Sequence, residues 1–467
     1  MIDAGWTAPE VVLEHQSARV LQLRTPELGD STYLVISGEE TAVIDAQRDV
    51  ERCEAIAGSL GGRIVAVLET HVHNDYLSGG PELARRHSAT YLVPRDSGFV
   101  GAQTLFEGDE VRVGSCRLRP LFTPGHTAHH LSYSVVFEDQ VLAVLSGGSV
   151  LVGSVGRSDL ISPDQTEGLT RQQYRSAARI GELSDPVLLG PTHGAGSFCT
   201  SSPALDETWT TVGKERERNP AFLIQEEDDF VRQQLAGLGP YPAYYAHMAG
   251  TNRSGSRPWP AAAPGELAPA ELTGLDREGV LIVDVRPRAQ FAQDHPARAI
   301  NIEIDGPFSA YLGWLFPLET RFALLGSNRQ AQEAAAQAAR IGADGVIGWA
   351  EAARWKESGV PSASHRSIDM AELRSELRAP IASRVIDVRQ DQEWWDGHIP
   401  GSIHVPIQDL PSRVLDLASW PGTTFVHCAS GYRAAIATSL LTAAGADAVH
   451  VDGGMREWAQ AGGEIAN

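Results

Sequence analysis

The chain of 467 residues has few cysteines, a deficit of basic residues and no long apolar runs. Its four cysteines are far apart and show no disulfide spacing, which predicts reduced thiols in a cytoplasmic protein. Lys and Arg number 38 against 59 Asp and Glu, and the resulting net charge of −21 excludes nucleic acid and anionic membrane surfaces as expected partners. No apolar run approaches the roughly 20 residues that span a bilayer. The N-terminal residues lack the basic and apolar segments of a secretion signal.

One loop carries metal-binding residue types at alternate positions, His71, His73 and Asp75. It follows the apolar segment 64–68, whose β-branched residues predict a buried strand. In an extended segment, alternate side chains leave on the same side, so these three can converge on one point. Imidazole and carboxylate are the groups that hold Zn²⁺ or non-haem iron near neutral pH. The alternative is a polar loop that contains two histidines by chance.

Two more strand-like segments end in turns that carry a histidine, His126 after Pro124-Gly125 and His193 after Pro191-Thr192. We therefore predict a site for one metal ion, Fe(II) or Zn(II). The predicted ligands are His71, His73 and His126. Asp75 and His193 are expected either to form a weakened second site or to orient these ligands.

The order His-x-His-x-Asp, then Thr-Pro-Gly-His-Thr at 123–127, then Pro-Thr-His-Gly at 191–194 resembles the metallo-β-lactamase superfamily. Residues 153–160, and the segment from Asn219 to Arg253, resemble its persulfide dioxygenase branch. The resemblance covers roughly residues 10–255 and implies a four-layer αββα sandwich.

The sequence departs from that pattern at two metal-ligand positions. The resemblance implies Fe(II) held by two histidines and an aspartate; His71 and His126 match, but Gly148 stands where the aspartate is expected. Tyr76 stands where the superfamily usually has a further histidine ligand. We therefore expect weak or absent dioxygenase activity.

The last 200 residues contain an internal repeat with an offset of 103 residues. Residues 283–286 match 386–389, and 299–301 match 402–404. Each unit of about 100 residues alternates strand-like and helix-like segments, which predicts an α/β domain with a parallel sheet.

The second unit contains a cysteine loop between an apolar strand and an alanine-rich helix. The loop comprises Cys428, Ala429, Ser430, Gly431, Tyr432 and Arg433. Backbone N–H groups and the helix N-terminus are expected to stabilise the Cys428 thiolate. A thiolate can take a sulfane sulfur from a donor, hold it as a persulfide and pass it to an acceptor thiol. A buried structural cysteine is the alternative.

Together with Asp-Val-Arg, Gly-His-Ile-Pro-Gly-Ser at 397–402 and Asp-Gly-Gly at 452–454, this loop resembles a rhodanese, or sulfurtransferase, domain. Cys428 and Arg433 then become the expected catalytic residues. In the first unit the alignment places Leu325 on Cys428. Because no thiol stands there, that unit is expected to be a structural or docking module.

The predicted fold is α/β and multidomain: an αββα sandwich followed by two rhodanese-like domains with parallel sheets. The expected boundaries are 1–252 for the metal domain, 253–270 for a linker, 271–363 for the thiol-less domain and 364–467 for the domain with Cys428.

The favoured function is sulfur handling in hydrogen sulfide metabolism, with low-molecular-weight thiols or persulfides and thiosulfate as partners. A mononuclear zinc hydrolase with accessory rhodanese domains and a non-catalytic sulfur-relay scaffold stay open as alternatives. A homodimer is the predicted assembly.

Overall fold

The computed structural model describes residues 8–201, 205–260, 262–378 and 382–466. These residues form two compact units. The first takes in residues up to 260 together with Ala339–Gly342, and the second takes in the others from residue 262 onward. Within these ranges, no helix combines the length and apolarity that crossing a membrane requires.

The first unit begins with a seven-stranded sheet whose strand order follows the chain. Its strands are β1 (Glu10–His15), β2 (Ala18–Thr25), β3 (Asp30–Ser37), β4 (Glu40–Ile44), β5 (Arg63–Leu68), β6 (Thr90–Pro94) and β7 (Gln103–Leu105). Strands β1 to β4 pair antiparallel, and β4 to β7 pair parallel. Helices α1 (Glu51–Ser59) and α2 (Gly80–His87) are inserted among the parallel strands. Pro81 lies in the first turn of α2, where a helix needs no backbone donor.

A six-stranded sheet with the order β15-β14-β11-β10-β9-β8 follows. Its strands are β8 (Val111–Val113), β9 (Cys116–Phe122), β10 (Leu131–Phe137), β11 (Gln140–Gly147), β14 (Leu188–Pro191) and β15 (Thr210–Thr211); a separate hairpin joins β12 (Val150–Leu151) to β13 (Ser154–Val155). The remaining helices of this unit are α3 (Pro163–Gly181), α4 (Val212–Arg218), α5 (Pro220–Leu223), α6 (Glu227–Gly237) and α7 (Tyr245–Ser254).

The two sheets pack face to face around one core, to which the first contributes Tyr33 and Leu68 and the second contributes Tyr133 and Leu145. Helices α1 and α2 cover the outer face of the first sheet. Helix α3 packs with the outer face of the second, through residues such as Ile180. Each buried large apolar side chain contributes about 1.5–3 kcal/mol to folding. The predicted four-layer αββα sandwich is confirmed.

The second unit contains two parallel sheets, one from each sequence repeat. The first has the order β18-β16-β19-β20, and the second has the order β22-β26-β25-β23-β24. The first repeat comprises α8 (Pro269–Arg277), β16 (Leu281–Asp284), α9 (Arg288–Gln293), β17 (His295–Pro296), β18 (Ile300–Asn301), α10 (Phe308–Leu315), β19 (Phe322–Gly326), α11 (Asn328–Arg340), β20 (Val346–Glu351) and β21 (Ser362–Ala363). The last two residues of α11 cluster with the first unit.

The second repeat comprises β22 (Ser367–Asp369), α12 (Met370–Glu376), β23 (Ser383–Asp387), α13 (Asp391–Trp395), β24 (Ile403–His404), α14 (Leu410–Ala418), β25 (Thr423–His427), α15 (Tyr432–Ala443), β26 (Ala448–Asp452) and α16 (Met455–Gln460). Four of its strands reproduce the order of the first repeat, with β24, β23, β25 and β26 in the places of β18, β16, β19 and β20. All these pairs are parallel, as the repeat predicts.

The strand register corrects one detail of the repeat alignment. Asp284 lies opposite Leu325, and its repeat equivalent Asp387 lies opposite His427. Leu325 is therefore equivalent to His427, and Gly326 occupies the place of Cys428. The alignment on Leu325 was wrong by one residue because the loop of the first repeat is shorter. No thiol stands at either position.

Candidate metal centre and cysteine loop

Three histidines of the first unit follow the ends of three strands. His71 follows β5, His126 follows β9 and His193 follows β14. All three are buried, and one ring nitrogen of each lies within 4.8 Å of one ring nitrogen of the others. The loops that carry His126 and His193 thus lie close to the loop that carries His71, as the pattern of three strand ends predicted.

Hydrogen bonds fix which nitrogen of His71 is available. The Thr70 hydroxyl donates to Oδ2 of Asp45 at 2.7 Å, so its oxygen can only accept from Nδ1 of His71, 2.8 Å away. His71 therefore donates through Nδ1 and keeps the lone pair on Nε2. An oriented imidazole of this kind is typical of metal ligands.

His126 and His193 are oriented in the same sense. Nδ1 of His126 lies 2.7 Å from the backbone oxygen of Arg157, to which it must donate. Nδ1 of His193 lies 2.8 Å from Oδ1 of Asp30 and 3.0 Å from Oδ2 of Asp75. On all three rings Nδ1 is occupied, so the Nε2 atoms are left for a common ligand.

The charges of the cluster suit a cation at that point. Burial first, and then the neighbouring histidines, lower the pKa of His71 and His126 well below the ordinary value, so both are neutral. Burial also lowers the pKa of His193, but Asp75 and Asp30 outweigh it and raise that pKa to about 10. Nε2 of His193 lies 3.2 Å from Nε2 of His71, and two such nitrogens need a proton or a metal ion between them. The residues therefore fit Zn²⁺ or Fe²⁺.

His73 has a different environment. Its Nε2 lies 3.2 Å from Oδ1 of Asp45 and 3.4 Å from Oε2 of Glu69, and its ring stacks on Tyr76 with centroids 4.4 Å apart. Burial lowers its pKa, but Asp45 and Glu69 outweigh burial and raise that pKa to about 10. His73 also falls within metal-sized groups, with Asp45 and His71 and with Asp75 and His193. His73 therefore stays a predicted ligand, and it is also the cation nearest to the buried carboxylates of Asp45 and Glu69.

Gly148 leaves no room for the carboxylate that the resemblance implies. A Cβ atom there would lie 2.2 Å from Cδ2 of His126. The backbone N–H of Gly148 donates to Nε2 of His130 at 3.0 Å, and Nδ1 of His130 contacts the hydroxyl of Thr123. His130 therefore supports the loop with both ring nitrogens. An aspartate at 148 would have to displace His126.

Helix α7 and the loop before it hold the metal loop in place. Asn252 donates through Nδ2 to the backbone oxygens of His73 and Tyr76, and its Oδ1 accepts from the N–H of Ser78. The hydroxyl of Tyr244 donates to the backbone oxygen of Asp75 at 2.9 Å. The Tyr-rich segment carried the family resemblance, but nothing in the residue pattern showed that it contacts this loop. Asp30 was also missed, because a single aspartate after a glycine is typical of a turn.

The cysteine loop of the second unit has the predicted place between β25 and α15. The backbone N–H of Gly431 donates to Sγ of Cys428 at 3.1 Å. Gly431 has φ of 87°, in the left-handed region, and a Cβ there would lie 2.1 Å from Oδ1 of Asp452. Cys428 itself is buried, and α15 begins at the residue after Gly431. The amide and the helix N-terminus both favour negative charge on the sulfur.

Arg433 is not a free cation beside that sulfur. Its guanidinium forms two hydrogen bonds with Glu393 of α13, at 2.6 and 2.8 Å. Burial raises the pKa of Glu393, but Arg433 outweighs burial and lowers that pKa below the ordinary value, so the pair is ionised at neutral pH. The sequence pattern predicted the arginine but not the carboxylate that neutralises it.

The first repeat contacts the same loop. Arg288 donates to the backbone oxygen of Ser430 at 3.2 Å and pairs with Glu303 at 2.7 Å and with Asp452 at 3.3 Å. The hydroxyl of Tyr432 donates to the backbone oxygen of Glu303 at 2.9 Å. The thiol-less repeat therefore holds the loop that carries the thiol.

The second repeat gives the cysteine loop a further hydrogen bond. It also places a buried ion pair beside the residue that precedes Cys428. His450 donates through Nε2 to the backbone oxygen of Gly431 at 3.0 Å. Asp387, which ends β23, receives three side-chain hydrogen bonds from Arg389 and lies 3.2 Å from Nε2 of His427. The residue that precedes Cys428 is thereby fixed.

Fold and site together define an αββα unit with a candidate metal site, joined to parallel-sheet domains, the last of which carries a buried cysteine in a loop before a helix. Residues 25–206 match the profile described as metallo-beta-lactamase superfamily, and residues 369–461 match that of the rhodanese-like domain. The chain belongs to the metallo-β-lactamase superfamily and has a rhodanese-like domain in its C-terminal part. The profile matches do not extend to the first repeat, whose rhodanese-like character stays a prediction.

Two curated relatives are a hydroxyacylglutathione hydrolase-like protein and a hydroxyacylglutathione hydrolase. The hydroxyacylglutathione hydrolase-like protein of Homo sapiens is 35% identical over 164 residues, 34% of this chain and 54% of that protein. The hydroxyacylglutathione hydrolase of Synechococcus sp. (strain JA-2-3B'a(2-13)) is 30% identical over 256 residues, 50% of this chain and 98% of that protein. The chain thus spans little more than half the length of the first of them.

A solved structure shares the fold over a longer part of the chain. The crystal structure of a metallo-beta-lactamase from Staphylococcus aureus subsp. aureus COL aligns with a TM-score of 0.65 and 24% sequence identity. It covers 72% of this chain and 99% of its own. This likeness supports the fold alone.

Proposed function

We propose that this protein is a sulfur-handling enzyme that moves sulfane sulfur through Cys428. The observation that carries the proposal is the 3.1 Å hydrogen bond from the Gly431 amide to Sγ of Cys428, in a loop that opens the twelve-residue helix α15. An amide donor and a helix N-terminus stabilise a thiolate, and the thiolate is the nucleophile in sulfur transfer. The match to the rhodanese-like domain supports the same chemistry.

Replacing Cys428 with Ser tests this proposal in the full chain. The assay follows sulfur transfer from glutathione persulfide or thiosulfate to cyanide, and mass spectrometry follows the gain of one sulfur atom by the protein. We expect transfer and sulfur gain to be lost. Cys53→Ser, Cys116→Ser and Cys199→Ser serve as controls, since these thiols lie elsewhere in the described chain. Undiminished transfer by Cys428→Ser would overturn the proposal.

We further propose that the first unit holds one metal ion through Nε2 of His71, His126 and His193. When bound, Zn²⁺ or Fe²⁺ would supply Lewis acidity toward a substrate that contains sulfur. Asp30 accepts the Nδ1 proton of His193, with Oδ2 of Asp75 3.0 Å from the same nitrogen, so Nε2 would be left to bind the ion.

The substrate of this unit is proposed to be a persulfide or a thioester of a low-molecular-weight thiol. The resemblance to persulfide dioxygenases and the fused rhodanese-like domain support a persulfide. The similarity to a hydroxyacylglutathione hydrolase and a hydroxyacylglutathione hydrolase-like protein supports a thioester of glutathione. The second candidate, thioester hydrolysis, is favoured by one observation: the three histidines supply nitrogen donors where the Fe(II) pattern needs a carboxylate.

Metal analysis and two assays separate these candidates. Protein purified without oxygen is analysed for iron and zinc, and then tested for oxygen uptake with glutathione persulfide and for hydrolysis of a hydroxyacyl thioester of glutathione. Zinc with thioester hydrolysis establishes the hydrolase. Iron with rapid, persulfide-dependent oxygen uptake establishes the dioxygenase. The absence of both activities from protein with full metal occupancy would overturn the metal-domain proposal.

A further inference from the structure

The surroundings of Cys428 differ from those of an anion-binding site in one respect, because the cations that contact its loop are already paired. Arg433 is held by Glu393 through two hydrogen bonds, and its side chain is 14% exposed. Arg288 reaches the loop but is shared by Glu303 and Asp452. Three carboxylates thus face two guanidinium groups, and loop residues 429–432 bring no charge of their own.

Aromatic side chains also lie beside the loop. Tyr311 of α10 and Tyr432 of the loop lie with ring centroids 5.5 Å apart, and every residue of α10 is buried. Burial raises the pKa of Tyr311 to about 12, so its phenol is neutral at pH 7. Removing a charged donor from water is costly in such surroundings, and the cost increases steeply with its charge.

We propose, building on the sulfur-transfer function inferred above, that Cys428 takes sulfur from a persulfide whose sulfur end carries at most one negative charge. Glu393 determines this preference, because it neutralises the arginine that would otherwise attract the thiosulfate dianion. The site therefore discriminates by charge between two donors that deliver the same sulfane sulfur.

The chemistry of the two donors shows why charge matters. With a persulfide R–S–SH, the Cys428 thiolate attacks the outer sulfur, a new S–S bond forms to Cys428, the old S–S bond breaks and RS⁻ leaves with the electron pair. With thiosulfate, the same attack brings an anion against a dianion, and sulfite leaves as a dianion. Only the second reaction gathers three negative charges at the loop, so only it needs a free cation there.

The test measures kcat/KM of the full chain for each donor. Cyanide is the acceptor, and the thiocyanate formed is the product that is followed. Rates obtained with Cys428→Ser give the background for subtraction. The wild-type protein should show a kcat/KM for glutathione persulfide about tenfold or more above that for thiosulfate, equivalent to a difference of about 1.4 kcal/mol in the activation barrier. A wild-type protein that uses both equally well would overturn the inference and leave sulfur transfer by Cys428 standing. Transfer from neither donor would overturn the proposed function itself.

Glu393→Gln tests the role of the carboxylate. Gln keeps an oxygen that can accept from the Gln390 N–H, as Glu393 does at 3.0 Å, but frees the charge of Arg433. The variant should raise kcat/KM for thiosulfate about tenfold and leave the persulfide value within about twofold. An unchanged ratio between donors would overturn the inference.

Glu372→Gln is the matched control. Glu372 accepts from the N–H of Asp369 at 3.0 Å in the same capping arrangement, and it is exposed. The substitution removes the same charge elsewhere in the domain and should leave both donors unaffected.

Salt dependence of the wild-type protein gives a measurement that needs no variant. Salt screens repulsion between like charges, so kcat/KM for thiosulfate should increase between low and physiological ionic strength, while the value for the persulfide changes less. A thiosulfate rate that decreases with salt would reveal a free cation at the loop and overturn the inference.

Discussion

Nε2 of His71 and Nε2 of His193 lie 3.2 Å apart, and each ring is fixed by a hydrogen bond on its other nitrogen. This relationship makes His193 a candidate ligand beside His71. The sequence alone had suggested a smaller contribution from His193 than from His73, because His73 belongs to the same loop as His71.

The first prediction concerns the ligand set. His71→Ala, His126→Ala and His193→Ala should each abolish tight metal binding, since each removes one of three nitrogens. His73→Ala should retain the metal but lose about 3–5 kcal/mol of stability, because Asp45 and Glu69 stay buried without their cation. Metal content after dialysis and thermal unfolding measure the two effects, with the exposed His87→Ala as control. Loss of metal from His73→Ala with full retention by His193→Ala would reverse the assignment.

Asp30 should act through His193. Asp30→Asn removes the carboxylate that receives the Nδ1 proton, and we expect metal affinity to decrease by about 10–100-fold. Asp139→Asn is the control, since that side chain is 96% exposed. Titration with zinc in a competing chelator gives both affinities. Equal affinities for the two variants would show that Asp75 alone orients the ring.

Gly148→Asp should fail to create a carboxylate ligand. The family resemblance implies an aspartate ligand at this position, but the added Cβ would overlap His126. We now expect weaker metal binding and a loss of about 1–3 kcal/mol from forced displacement. Gly168→Asp, in open space on α3, provides the control. Increased iron content in Gly148→Asp would show that His126 moves without cost.

The two repeats offer a matched test of a buried charge. Asp387 and Asp284 each pair with an arginine, but Asp387 also faces His427 where Asp284 faces Leu325. Burial raises both pKa values. For Asp387 the contacts with His427 and Arg389 outweigh burial and lower its pKa, whereas the pKa of Asp284 stays raised.

Asp387→Asn should therefore cost about 1–3 kcal/mol more than Asp284→Asn at pH 7. A lowered folded pKa gives Asp387 a stabilising contribution that is present above an ordinary aspartate pKa of about 4 and is lost as the pH decreases below it. A raised folded pKa gives Asp284 the opposite slope. Urea unfolding of both variants between neutral and acidic pH measures this difference. Parallel slopes would contradict it.

The sequence predicted the parts of the molecule that depend on local pattern. The pattern of strand ends predicted that His71, His126 and His193 lie close together, and the repeat predicted two parallel sheets. It could not predict that Asp45 lies 3.2 Å from His73, because Asp45 follows β4 and is distant from this loop in sequence. It also misplaced Leu325, since a loop one residue shorter leaves no local signal of where the register shifts.

Gly431 bears on the energy of sulfur uptake. Its left-handed backbone and the crowding by Asp452 fix the amide toward Cys428 during folding. The conformational entropy of orienting that donor is therefore lost once, when the chain folds, and is not lost again at each turnover. A sulfur atom that arrives at Cys428 meets a dipole that is already aligned, so the activation entropy of transfer should be small, and a bulkier residue at 431 should make it more negative.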